Sequence, residues 1–178
     1  MHNVSNSLSA IALSHCYEIS PEAMKIALLK FSGASRRCEY KGEYDNIKIF
    51  DDYAHHPTEI LATANAINNK KNFTESWVVF QPHTYSRTKL LLDDFATALS
   101  NFDNIIITDI YAARETNTYN ISSKDLVDKI NSIKHKAIYI SSFDDIATYL
   151  WEKVNPNDLI LTLGAGTVVD ISKLLLVK

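Results

Sequence analysis

Beyond residue 37 the chain alternates short apolar runs with longer stretches in which apolar residues recur every three or four positions. "CEYKGEY" and "NIKIFDDY" read as two strands joined by a hairpin turn at Asp45-Asn46. "HPTEILATANAIN" reads as a helix, with Pro57 at its start and Glu59 in its first turn. "SWVVF" is then a buried strand, "SRTKLLLDDFATALSNF" one long helix and "NIIITDI" the next buried strand. "SSKDLVDKI", "AIYI", "SFDDIATYLWEKV", "DLILTLGAG" and "TVVDISKLLL" continue as helix, strand, helix, strand, helix. Strands apolar throughout, separated by single amphipathic helices, imply a mostly parallel sheet covered on both faces, a doubly wound α/β fold.

The first thirty-odd residues follow another pattern. "NVSNSLSAIALSHCY" carries Leu8, Ile11, Ala12 and Cys16 at helical spacing. "SPEAMKIALLKF" has a capping serine, Ser20, and a proline suited to the first helical position. Two helices of this length are too short to bury a core of their own. They read as the tail of another domain, followed by "SGASRR", a linker with a glycine hinge and two arginines. The expected division is therefore 1–33 for the helical piece and hinge, and 34–178 for the α/β domain.

Composition narrows the function. The 178 residues are 46% hydrophobic and 22% charged, with a net charge of −3, which argues against a general nucleic-acid binder. No apolar run approaches a membrane span of about 18 residues, and no signal peptide opens the chain. Cys16 and Cys38 lie in no paired motif and read as reduced, partly buried thiols of a cytoplasmic protein.

In doubly wound sheets ligands gather beyond the carboxyl ends of the strands. Four polar segments fall there: "DDYAHHP", "FQPHTYSR", "DIYAARE" and "LGAG". In the first, Asp52, Tyr53 and His55 read as ligand contacts, whereas Asp51 and His56 read as turn-capping or backbone-bonding residues. The acids and histidines offer metal-ligand atoms, but neither zinc-protease spacing nor a facial triad appears, so no metal is assigned. In the second segment His83 and Arg87 flank the start of a helix, an arrangement suited to a carboxylate or phosphate. The alternative is that Arg87 pairs with a helix acid such as Asp94. "LGAGT" lacks the three-glycine dinucleotide fingerprint and reads as a tight turn. With no Walker A sequence the chain has no standard triphosphate cradle, and it has no "GxSxG" elbow and no motif around either cysteine that marks a nucleophile.

Seven blocks in order, "HNVSN", "FSGASRR", "DDYAHHPTE", "FQPHTYSRT", "DDFATALS", "DIYAARE" and "LTLGAG", resemble the Mur ligases. "DDYAHHPTE" and "FQPH" point to the member that adds L-alanine to UDP-N-acetylmuramate. The resemblance implies the last helices of a central ATPase domain followed by a Rossmann-like carboxyl-terminal domain. It also implies an ATP- and magnesium-dependent ligase of peptidoglycan synthesis whose substrates are L-alanine, UDP-N-acetylmuramate and ATP. This stretch alone, without the P-loop lysine and magnesium ligands, is expected to be inactive and to hold no cofactor tightly. By the same resemblance His2, Asn3 and Asn6 lie near the adenine, Arg37 approaches the ATP phosphates and Asp52 meets the ribose. Tyr53, His55, His83 and Arg87 surround the amino acid. The family often has arginine where this chain has Thr84, and glycine where it has Arg114. The competing reading is a stand-alone flavodoxin-like domain binding a nucleotide or small acid. It would need a glycine-rich phosphate loop near the first strand, which the sequence lacks.

Overall fold

The structure, a computed structural model, describes residues 2–31, 33–69, 72–134 and 136–177, without the side chains of His2 and Asn3. It divides into two units, Met1–Ala34 and Ser35–Lys178. The first contains α1 (His2–Cys16) and α2 (Pro21–Lys30). Ser20 caps α2 by accepting a hydrogen bond from the Ala23 amide at 3.3 Å, and Pro21 takes the first position, where its missing N–H costs nothing. No described residue of this unit is buried, and Leu8, Leu13 and Leu29 are largely exposed. No helix among the described residues is long and apolar enough to cross a membrane.

The second unit runs β1 (Glu39–Tyr44), β2 (Ile47–Asp52), α3 (Pro57–Asn69), β3 (Ser76–Phe80), α4 (Tyr85–Leu90), α5 (Leu92–Leu99) and β4 (Asn104–Ile107). It continues with α6 (Ser123–Lys134), β5 (Ala137–Tyr139), α7 (Phe143–Lys153), β6 (Leu159–Leu163) and α8 (Val169–Leu176). Asp45 and Asn46 both have positive φ (49° and 63°), the backbone that a primed two-residue hairpin turn demands. The sheet order is β1-β2-β6-β3-β4-β5, with only β1 antiparallel to its neighbour.

Strand alternation distributes the core. Val78, Phe80, Leu161 and Leu163 face α3, α5 and α6, whereas Trp77, Val79 and Ile160 face α7 and α8. β6, the last of the six strands in sequence order, lies between β2 and β3, so its connection leaves on the opposite face from theirs. Ligands of doubly wound sheets bind at such a divergence, beyond the carboxyl ends of the strands. Asp52, Leu163, Phe80, Ile107 and Tyr139 are in register, which makes the loops beyond them emerge level along one rim.

Two expectations change. The helix expected over 86–102 is two helices, broken at Leu91 (φ −113°, ψ 25°). Three consecutive leucines cannot all face one core stripe at 100° per residue. The break lets Leu91 and Leu92 both pack on the core while Leu90 stays exposed. Cys16 and Cys38 are exposed rather than partly buried. The first sits in a unit with no buried residue, and the second in a turn at φ 47°.

Candidate active-site rim

Side chains from three strand ends form a continuous row. The Tyr53 ring packs edge-on against His55 (centroids 5.4 Å apart), and His55 against His83 (5.7 Å). His83 in turn stacks on Tyr111 (5.7 Å, 21° between planes). Arg87 places Nη1 3.5 Å from His83 Nδ1. Tyr53, His55, His83 and Arg87, singled out separately in the sequence, therefore meet on one rim. Arg87 makes no ion pair among the described residues, so the pairing with Asp94 is not present.

Hydrogen-bond partners assign opposite polarities to the two histidines. His55 Nδ1 lies 3.0 Å from the Tyr53 carbonyl and 3.5 Å from Glu59 Oε2, both acceptors. In the neutral ring the proton therefore sits on Nδ1, leaving Nε2 a lone pair. His83 Nδ1 faces a guanidinium, which can only donate, so neutral His83 carries its proton on Nε2. Burial pushes the His83 imidazole below its ordinary 6.5, the positive Arg87 adds to this, and Glu115 opposes it. A histidine depressed in the folded state favours folding fully above its unfolded value of about 6.5 and loses that contribution as pH falls through the folded midpoint. NMR titration of His83 should give a midpoint below 6.5, and Arg87→Met should move it upward. A wild-type midpoint above 6.5 would contradict this electrostatic picture.

The start of α4 departs from the sequence expectation. It is not an open anion receptor, because Glu115 already accepts from the Ser86 amide (2.9 Å) and hydroxyl (2.5 Å), while Thr84 Oγ1 accepts from the Arg87 amide (3.5 Å). Those bonds hold the Glu115 carboxyl below the usual range, led by the Ser86 hydroxyl. Thr84 sits at φ 66°, ψ 146°, an outlying backbone for a β-branched residue. Such strain costs about 1–3 kcal/mol and persists only where surroundings over-determine it. Here the Thr84 amide donates to the Tyr111 carbonyl (2.9 Å), and its own carbonyl accepts from Thr88 Oγ1 (2.7 Å).

At the other end of the row Arg36 is the hub, a residue that sequence reasoning passed over in favour of Arg37. Arg36 Nε donates to Asp51 Oδ2 (2.8 Å), Nη2 to the Gly164 carbonyl (2.7 Å) and Nη1 to the Gly166 carbonyl (3.3 Å). Its guanidinium also lies over the Tyr53 ring, 4.9 Å from the centroid. Asp51, fully buried, takes a second bond from Thr162 Oγ1 (2.6 Å). It is thus an ion-pair anchor rather than a turn cap. Gly164 (φ 143°) lets the turn pass close to Gln81, whose carbonyl would lie 2.7 Å from an added Cβ. His56 does cap: its Nδ1 accepts from the Thr58 amide (3.4 Å), while Glu59 receives the His55 and His56 amides.

Asp52 is more committed than expected. Its carboxylate accepts from the Ala54 amide (2.8 Å), the Cys38 amide (2.9 Å) and Thr63 Oγ1 (3.3 Å), and burial pushes its carboxyl up. Three of about four acceptor positions are thus filled. Arg37 is exposed, with no ion pair among the described residues. Asn6 and Arg114 are exposed too, and the side chains of His2 and Asn3 lie outside the described residues. Among the described residues no three His, Cys, Asp or Glu side chains group as metal ligands. Tyr111 and Glu115, which sequence reasoning did not single out, lie in a segment it did place on the rim, "DIYAARE".

Comparison with known proteins agrees with this architecture. The UDP-N-acetylmuramate–L-alanine ligase of Agathobacter rectalis is 50% identical over 177 residues, and that of Lachnospira eligens 47% over 176. Each alignment covers 99% of this chain but 38% of the relative, so the chain spans well under half the length of these proteins. The crystal structure of the UDP-N-acetylmuramate–alanine ligase of Thermotoga maritima superposes with a TM-score of 0.78 at 27% identity, covering 99% of this chain and 37% of that one. A murein peptide ligase from Psychrobacter arcticus gives 0.74 at 26%, covering 99% and 36%. Residues 36–166 match the family described as Mur ligase, glutamate ligase domain. With that match over most of its length and a sheet of the same build, the chain belongs to the Mur ligase family.

Proposed function

We propose that this chain is the carboxyl-terminal part of a cytoplasmic, ATP-dependent ligase that joins L-alanine to UDP-N-acetylmuramate in peptidoglycan precursor synthesis. The observation that carries the amino-acid end is the opposed polarity of two neighbouring rings. His83 Nε2–H and the Arg87 guanidinium are donors suited to a carboxylate, and His55 Nε2, one ring away, is an acceptor suited to an amino group. Together they complement the two ends of an α-amino acid, and the exposed Tyr53 borders them. The names of the full-length relatives support alanine and UDP-N-acetylmuramate as the joined partners.

In the reaction this implies, a phosphoryl group from ATP is transferred to the muramate carboxylate. The alanine nitrogen then attacks the activated carbon, forming the C–N bond, losing a proton and expelling phosphate. The chain's contribution is placement: Arg87 and His83 fix the carboxylate so that the amine points one way, and His55 accepts from that amine. Arg37, exposed and without an ion pair among the described residues, fits a phosphate oxygen of the nucleotide. Asp52, with about one acceptor position left, can take one ribose hydroxyl. The stand-alone flavodoxin-like alternative is not favoured, since the matching relatives are ligases.

The test is phosphate release. The 178-residue chain should release none from ATP. The full-length ligase containing it should release phosphate only when UDP-N-acetylmuramate and L-alanine are both present. Release that ignores alanine would overturn the assignment.

A further inference from the structure

We propose that Glu115 is a positioning residue for the amino-acid site: by gripping Ser86 at the start of α4, it fixes Tyr111 and Arg87 around the His83 ring. The proposal rests on the functional reading above and extends it to a segment with no regular structure. Between β4 and α6, residues 108–122 form neither helix nor extended strand. Tyr111 bridges to His83 in parallel fashion, with its amide donating to the Pro82 carbonyl at 2.8 Å and its carbonyl accepting from Thr84. Four residues later Glu115 returns to the same place and commits both carboxylate oxygens to Ser86. The turn between them closes through the Glu115 amide on the Ala112 carbonyl (2.9 Å), with Ala113 at φ 54° and Arg114 exposed.

Glu115 thereby does two things. It ties the loop bearing Tyr111 to the helix bearing Arg87, with His83 between them. It also fills the start of α4 with an anion from the chain itself, so an arriving carboxylate is directed to the Arg87 guanidinium. Tyr111 is constrained further by Gly166, where an added Cβ would lie 2.9 Å from the Tyr111 ring. The stack therefore has little room to slide; the Pro82 and Thr84 bonds hold its backbone, and Glu115 ties the rest of the loop to α4.

The test compares Glu115→Ala with Glu115→Gln, which keeps an acceptor for the Ser86 amide and a partner for its hydroxyl without the charge. In the full-length ligase, Glu115→Ala should raise KM for L-alanine roughly ten- to a hundredfold, the scale of a misplaced contact, and leave KM for ATP unchanged. Glu115→Gln should restore most of the loss. On the 178-residue chain, ring-to-ring NMR contacts between His83 and Tyr111 should vanish in Glu115→Ala and persist in Glu115→Gln. Intact ring contacts in the alanine variant, or a glutamine variant as damaged as the alanine one, would overturn the positioning role. Should Glu115→Ala fail to fold, Ser86→Ala removes one of the two bonds and carries the same comparison. If the wild-type ligase ignores alanine, the functional reading fails, and the ring contacts still decide what Glu115 does.

Discussion

Arg36→Met is expected to cost about 3–5 kcal/mol of folding stability, a large share of what a domain of this size possesses. Asp51 explains the size. Its side chain is fully buried whereas that of Arg36 is 21% exposed, so the two ends of the ion pair are not equivalent. Without the guanidinium, Asp51 keeps one hydroxyl donor, Thr162, for a charge with no access to water. The carbonyls of Gly164 and Gly166 lose their donors as well. Asp51→Asn should be milder, about 1–3 kcal/mol, because it removes the charge and leaves a shape that still hydrogen-bonds. The double variant should cost less than the sum, since the buried charge that makes Arg36→Met severe is then absent. Urea unfolding of the four proteins measures this. A cost for Arg36→Met under about 1 kcal/mol would place the pair with ordinary surface ion pairs.

In the full-length ligase proposed above, Arg87→Ala is expected to lower kcat/KM for L-alanine by roughly ten- to a hundredfold, mainly through KM, with stability little changed. Arg87 has no carboxylate partner among the described residues, so its charge is not committed to the fold. Losing a charge-assisted contact to a substrate carboxylate costs about 1.5–3 kcal/mol, which sets the range. No neighbour can compensate, because α4 begins with Glu115 already in place and Thr84 carries no charge. Arg87→Lys should recover only part, since an ammonium cannot offer the paired donors of a guanidinium. Steady-state rates over a range of alanine concentrations decide the matter. Wild-type kinetics with a slightly lower melting temperature would mean that Arg87 serves only the fold.

What could be read from the sequence was what depends on neighbours in the chain. Apolar runs marked β3 and β6, the Asp45-Asn46 pair marked the hairpin, and Ser20-Pro21 marked the start of α2. Strand-end topology then put Tyr53, His55, His83 and Arg87 on one rim, because parallel strands in register deliver their following loops to the same edge. What escaped were bonds between distant residues. Arg36 and Arg37 are adjacent and chemically identical, yet one is locked to carbonyls 128 and 130 residues away and the other is exposed. Nothing within a few residues of either distinguishes them. Glu115 likewise grips Ser86 across 29 residues, filling a helix start that looked open. The break at Leu91 was hidden because three leucines in a row suit a helix locally, and only the position of the core shows that one straight helix would waste them.

The place of β6 in the sheet bears on how the chain is made. Until Leu159–Leu163 has been synthesised, β2 and β3 have no strand joining them, because each pairs with β6 and not with the other. A nascent chain can form the β1–β2 hairpin and the β3–β4–β5 group, each with an open strand edge of the kind that invites wrong pairing. β6, the last strand of this sheet to be synthesised, closes both edges at once, and with them aligns the strand ends that carry the rim. The domain's order of synthesis thus defers its long-range pairing to the end, which lengthens the interval in which a chaperone or an unwanted partner can reach those edges.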